Sequence, residues 1–272
     1  MTDPLSRIAD ALERLAPPLP TAADPNAHPA YLWRGAVLEA AERFRPLPLE
    51  HLVGIDQQRE AMVTNLRRLA QGHAAQDVLL WGARGTGKSA LVASAVGHVQ
   101  AEWPRLALVE VVGGGLERLP RLFDSIAATD RAVAIFIDDL GFDSVSDARA
   151  LRSLLEGGAE ARPANTRLFV TSNRRHLLPR DLAEQDSAVN PRDVVDDKLA
   201  LADRFGLSLG FHALDQDAYL AIVAGYAAAH DLSFDATDAV GWATRRGSRS
   251  GRVAWQYVIE LAGRNGRALD GA

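Results

Sequence analysis

Eight residues, Gly82-Ala-Arg-Gly-Thr-Gly-Lys-Ser89, constrain this chain more than any other feature. They satisfy the phosphate-loop pattern G-x-x-x-x-G-K-[ST] at every fixed position. Gly82, Gly85 and Gly87 permit backbone conformations that a side chain would obstruct, so successive N–H groups can converge on an anion. Lys88 brings a mobile cation to terminal phosphates, and Ser89 offers a hydroxyl to a magnesium ion. The candidate nucleotide-binding set is therefore Gly82, Ala83, Arg84, Gly85, Thr86, Gly87, Lys88, Ser89 and Ala90. Arg84, an unconstrained position of the loop, is expected to point outward. The flanks agree with the pattern. Asp77-Val-Leu-Leu-Trp81 reads as a buried strand, and Ser89 to Val96 reads as a helix whose N-terminus adds its dipole to the phosphate site.

Composition narrows the class. The 272 residues hold one large domain or two smaller ones with ample core. No cysteine is present, which excludes disulfides, thiolate metal sites and a cysteine nucleophile and suits a reducing, cytoplasmic setting. No signal peptide is evident at Met1-Thr-Asp-Pro, and no apolar run approaches the roughly 20 residues that span a bilayer, so no membrane role is expected. The net charge of −5 argues against a generally basic nucleic-acid footprint and leaves a local basic patch open. The histidines show no metal-ligand spacing.

Along the chain, Leu5, Ile8, Leu12 and Leu15 have helical spacing, and Pro17 to Pro29 reads as a linker. Ala30 to Phe44 is a second helix candidate. Residues 1–45 are thus expected as an N-terminal helical extension and linker. Asp56 to Gln71 is helical, with Met62, Leu66 and Leu69 on one face. Strand candidates then alternate with helices: Val78–Trp81, Leu106–Val112, Ala132–Ile137, Arg167–Thr171 and Leu207–Phe211. This alternation predicts an α/β core, a parallel sheet sandwiched by helices, over 46–212. Gln216–His230, Asp235–Arg245 and Gly251–Gly263 predict a small all-helical domain over 213–272.

A second constellation supports the first. Ala132-Val-Ala-Ile-Phe-Ile-Asp138-Asp139 is an apolar run that ends in two carboxylates. In a parallel sheet the carboxyl ends of strands face the ligand crevice, which places Asp138 beside magnesium and Asp139 near an attacking water.

With these residues in place the sequence resembles the AAA+ ATPases, of the P-loop NTPase class. Leu52-Val-Gly-Ile-Asp56 is similar to the segment that lines the adenine pocket, with Val53, Gly54 and Ile55 as purine contacts. Thr171-Ser-Asn173 is similar to sensor 1, which implies that Asn173 places the water. Asp203-Arg204-Phe-Gly206 resembles the arginine-finger segment of the Holliday-junction branch-migration motor. Gly247-Ser-Arg-Ser-Gly-Arg252-Val-Ala-Trp255 resembles sensor 2, with Arg252 contacting phosphate from the helical lid and Arg249 as the substitute. The strings LVGID, LLWGARGTGKS, IDDL, TSNRRHLLP, DRFGL and SGRVAWQ resemble a bacterial family of AAA+ ATP-binding proteins that carries a domain-of-unknown-function label. The resemblance runs from Phe44 to Gly263.

The resemblance implies ATP and Mg2+ as cofactors and Lys88, Asp138, Asp139, Asn173, Arg204 and Arg252 as catalytic residues, with Ser89 and Asp138 on the metal. A finger such as Arg204 acts on a neighbour's nucleotide, so a nucleotide-dependent homo-oligomer is expected, acting on a macromolecular partner that the sequence does not identify. The wider superfamily usually has glutamate where this chain has Asp139, one methylene shorter, which makes slow hydrolysis or an ATP-binding switch or adaptor the competing expectation. A small-molecule kinase is a third reading, disfavoured by the helical C-terminal segment. Arg174-Arg175-His176 follows sensor 1 and reads either as a contact for a neighbouring subunit, nucleic acid or acidic partner or as a solvated loop.

Overall fold

The computed structural model describes residues 3, 4, 7, 22–113, 116–140, 151, 154, 155, 162–173 and 203–269. Of the expected helix over residues 5–16 only residue 7 is among them, and the Arg174-Arg175-His176 segment lies outside them. Among the described residues seven strands form one sheet: β1 (Ala30–Trp33), β2 (Leu38–Ala40), β3 (Val78–Gly82), β4 (Leu106–Val111), β5 (Ala132–Ile137), β6 (Thr166–Ser172) and β7 (Leu207–Phe211). Their order is β2-β1-β4-β5-β6-β3-β7. Among the described residues only the β1–β2 pair is antiparallel. Strands β3 to β6 are buried along almost their whole length, which is why they read as continuous apolar runs rather than alternating ones.

Helices cover both faces. On one face α1 (Asp56–Ala70) and α2 (Lys88–Glu102) set Met62, Leu66, Leu91, Val92 and Val96 against Val78, Leu80, Leu108, Ala134 and Phe169. On the other, α3 (Leu119–Ile126) sets Leu119, Leu122 and Phe123 against Val109, Val133, Ile135, Leu168 and Val170. Full burial of each such side chain contributes about 1.5–3 kcal/mol. After β7 come α4 (Gln216–Ala229), α5 (Ala236–Arg245) and α6 (Gly251–Arg264), packed around their own core of Tyr219, Val223, Ala239, Ala254, Tyr257 and Val258. Asp215, Asp235 and Ser250 cap these three helices by accepting a bond from the backbone N–H three residues on. Among the described residues no helix is long and apolar enough to cross a membrane.

One expectation fails. Residues 30–44 form no helix: β1 pairs with β4 from Ala30↔Leu108 to Trp33↔Val111, and β2 folds back on β1. The side chains of Tyr31 and Trp33 enter the core on the α3 face, each 1% exposed, while Ala30 joins the α2 face. The segment alternates with the period of a strand. Its partner β4 is remote in sequence, and that tertiary pairing overrides the local helical spacing. The sheet thus starts before residue 46.

Candidate nucleotide-binding site

The phosphate loop joins the carboxyl end of β3 to α2. Gly82, Gly85 and Gly87 all have positive φ (129°, 74° and 95°). At Gly82 the requirement is also steric, because a β-carbon there would lie 1.9 Å from the Phe211 carbonyl oxygen of β7. Gly87 is the N-cap of α2 and offers no side-chain acceptor, so the first N–H groups of the helix have no side-chain cap. Uncapped N–H groups at a helix N-terminus favour an anion.

Lys88 opens α2 and turns inward, 5% exposed. Its Nζ donates to the carbonyl oxygens of Gly82 (3.0 Å) and Ala83 (2.7 Å) and to Asn173 Oδ1 (3.0 Å). Burial lowers its pKa from the ordinary value. Asp138 and Asp139 oppose that shift, and the positive charge of Arg84 adds to it. Thr86 closes the loop, its hydroxyl donating to Ala83 O at 2.8 Å.

The two aspartates after β5 stand beside the loop. Asp138 Oδ1 accepts from the Ser89 hydroxyl at 2.7 Å and from the Thr171 hydroxyl at 2.5 Å. Asp139 sits in the left-handed region, φ 50°, fixed by its N–H, which donates to Thr171 Oγ1 at 2.8 Å. Its carboxylate accepts from Asn173 Nδ2 and lies 3.6 Å from Arg84 Nη2. The structure thus brings together Lys88, Ser89, Asp138, Asp139 and Asn173, from two strand ends and one helix. Arg84 is exposed, as expected, but its guanidinium reaches across to Asp139 rather than away from the site.

Sequence reasoning gave Thr171 no separate role, yet its hydroxyl holds both aspartates. The available signal was its place two residues before Asn173: alternation along β6 puts Thr171 and Asn173 on one face. Glu110 on β4 was also passed over. It is half-buried on the α2 face, and burial first, then Asp138, raise its pKa while Arg34 lowers it.

The 52–56 segment joins core and helical domain. Ile55 is buried against the α1–α2 core and lies 3.9 Å from a β-carbon placed on Gly87. Val53 packs on the α4–α6 core, 3.5 Å from a β-carbon placed on Gly225. Gly54, φ 79°, has open space at its Cα. At the other side of the loop, the Gly251 N–H donates to Gly85 O at 3.0 Å. A β-carbon on Gly85 would meet Ser250 Cβ at 2.9 Å and Arg252 Cβ at 4.0 Å. Arg252, exposed in the first turn of α6, therefore stands next to the phosphate loop.

Arg204 stands apart from this group. It precedes β7, where Leu207 pairs with Val78 at the start of β3, whereas the loop leaves β3 at Gly82 opposite Phe211. Phe205, 5% exposed, enters the core, and Gly206 packs so closely on Gln76 that a β-carbon would lie 1.9 Å from Oε1. The backbone of Arg204 thus lies toward the amino edge of the sheet, opposite its own phosphate loop.

Ser89 and Asp138 suit Mg2+, being a hydroxyl and a carboxylate already 2.7 Å apart, and the uncapped start of α2 suits a phosphate.

The proteasome-activating nucleotidase of Methanopyrus kandleri is 32% identical over 132 residues, 47% of this chain, and the match spans only 29% of that protein. Among solved structures, the RuvB Holliday junction branch migration motor of Thermotoga maritima superposes with a TM-score of 0.52 at 15% identity, covering 82% of this chain and 68% of that one. The Aeropyrum pernix ORC1 protein in complex with DNA gives 0.54 at 14% identity, covering 83% and 63%. Domain III of the Thermotoga maritima replication initiation protein DnaA gives 0.50 at 14%, covering 82% and 91%. These likenesses give the fold as that of the AAA+ class. The family model described as "Protein of unknown function (DUF815)" matches residues 26–265, and the chain belongs to that family, with AAA+ architecture.

Proposed function

We propose that this protein hydrolyses ATP at an interface between its own copies and uses the cycle to remodel or load a macromolecular partner. One observation carries the reading: Arg204 and Lys88 occupy opposite edges of the same sheet. An arginine of that position serves a neighbour's phosphates and not its own, which makes the complete site a property of two subunits.

Within one subunit the roles divide by position. Lys88 gives up the loop carbonyls and meets the β- and γ-phosphates. Ser89 and Asp138 hold Mg2+, which when bound neutralises phosphate charge and orients the leaving group. Asp139 polarises the water and Asn173 aligns it. Arg252 reaches the phosphates from α6, and Val53, Gly54 and Ile55 face the base. Because Gly251 bonds Gly85, a shift of the loop on nucleotide binding is transmitted to α6 and the helical domain.

Steady-state phosphate release across a range of protein concentrations tests the proposal. The expected result is a specific activity that rises with concentration and is abolished by Lys88→Ala. A rate that is the same for wild type and Lys88→Ala, or flat with concentration, refutes it. A second reading, an ATP-gated switch or adaptor with little turnover, draws on Asp139, whose short carboxylate is held by Asn173 and faced by Arg84. Tight binding with negligible turnover at high protein concentration selects it.

A further inference from the structure

The phosphate loop carries two cations. Lys88 is its fixed lysine, but Arg84 is a residue that the loop pattern leaves open. Its guanidinium stands 3.6 Å from Asp139 Oδ2. Asp139 accepts from Asn173, whose Oδ1 accepts from Lys88 Nζ at 3.0 Å. Lys88 in turn bonds the carbonyls of Gly82 and Ala83, beside Arg84 itself. The contacts close a ring: loop, Lys88, Asn173, Asp139, Arg84, loop. The ring holds two cations and one carboxylate at the mouth of the phosphate loop.

We propose that Arg84 distinguishes nucleoside triphosphate from diphosphate, by leaving Asp139 for the γ-phosphate and so releasing Asp139 to act on water. This inference rests on the reading of the site as one for ATP. The geometry supports each half of the exchange. The Arg84–Asp139 pair is exposed, 79% and 54% at the side chains, and longer than a good ionic hydrogen bond, so it is weak and easily broken. A γ-phosphate carries more charge than a carboxylate and accepts both arms of a guanidinium, so it competes well for Arg84. A diphosphate ends one group short and leaves Arg84 on Asp139. In that state the water-polarising carboxylate is occupied, and the site idles until triphosphate returns.

The test is calorimetric titration of the full chain with Mg-ADP and with magnesium and a slowly hydrolysed ATP analogue, adenylyl imidodiphosphate. Wild type, Arg84→Gln, Asp139→Ala and the double variant are compared. Arg84→Gln should weaken the triphosphate analogue about tenfold and change ADP affinity less than about twofold. Asp139→Ala, which removes the competing carboxylate, should tighten the analogue in the wild-type background and have no such effect with Gln at position 84. A preference for triphosphate unchanged in Arg84→Gln overturns the inference, as does equal weakening of both nucleotides, which marks a merely structural arginine. If wild type binds neither nucleotide, the ATP reading itself falls, an outcome distinct from the other two.

Discussion

Mixing two inactive variants tests the shared site most directly. Between the Val78–Leu207 pair and the Gly82–Phe211 pair, β3 and β7 run four residue steps side by side. At about 3.3 Å per step that is about 13 Å, and Arg204 lies three residues further back. An arginine cannot cover that distance to its own phosphate loop, whereas a neighbour docked head to tail can present its Arg204 there. Arg204→Ala leaves every residue around Lys88 in place and should still bind ATP, yet release phosphate about 10³-fold more slowly or worse. Lys88→Ala should be as inactive for the opposite reason. In a random one-to-one mixture, half of the sites retain Lys88 and half of those face an intact Arg204, so about a quarter of the wild-type rate per subunit should return. The assay is coupled phosphate release at fixed total protein, with light scattering to verify that the variants co-assemble. A co-assembled mixture no faster than its two components measured separately would refute the geometry, and so would an Arg204→Ala protein of wild-type rate.

Three further outcomes follow from the packing. Asn65, 4% exposed, donates to Gln76 O at 2.9 Å and accepts from Gln76 N at 2.8 Å, so Asn65→Ala strands two backbone groups and should cost about 2–4 kcal/mol in urea unfolding. The same change loosens the seat of Gly206 on Gln76, so loss of hydrolysis should exceed loss of ATP binding. Gly82→Ala must fit a side chain at φ 129° against Phe211 O and disturb the Ala83 N–Phe211 O bond of 3.1 Å, with a destabilisation of at least about 2 kcal/mol by thermal melting and loss of nucleotide binding. Glu110 has its pKa raised from 4.5 by burial, so the folded state resists its ionisation. The penalty is absent below the unfolded pKa and sets in as pH rises through the higher folded pKa. Glu110→Gln should therefore raise Tm at pH 7 and leave it unchanged near pH 4. An equal gain at both values would reject that account.

Strands β3 to β6 were legible almost to the residue because buried parallel strands carry their signal locally, as apolar runs closed by turns. The loop then fixed what lay between β3 and α2. The β1–β2 hairpin was not legible in the same way. Ala30, Tyr31, Trp33 and Leu38 fit a helical stripe as well as a strand, and what decides is β4, distant in sequence. At the site, Lys88, Ser89 and Asp138 were readable because their chemistry is tied to spacing. The role of Thr171 depends on β5 and β6 being neighbours, and the Arg84–Asp139 contact depends on where β3 lies relative to both. A motif names the donors and acceptors; strand order decides which of them meet.

That strand order also explains how a change of one phosphate could be felt outside the core. At the crevice, β3 leads directly into a loop that touches the helical domain, through Gly85 O and the Gly251 N–H. Ser250 is at once the cap of α6, accepting from the Val253 N–H at 3.2 Å, and the residue crowding Gly85. A rearrangement of the loop at Gly85 would press on the start of α6. Across the crevice, Val53 and Ile55 belong to different cores two residues apart, with Gly54 between them at positive φ and in open space. Two of the contacts to the helical domain are thus a hydrogen bond that nucleotide can perturb and a segment whose glycine can turn. Because α6 carries Arg252 and its core is separate from that of the sheet, such a displacement would move α4 to α6 as a body. Replacing Gly54 with valine should strain that turn and slow turnover by more than it weakens ATP binding. Unaltered turnover in a folded Gly54→Val protein would place the hinge elsewhere.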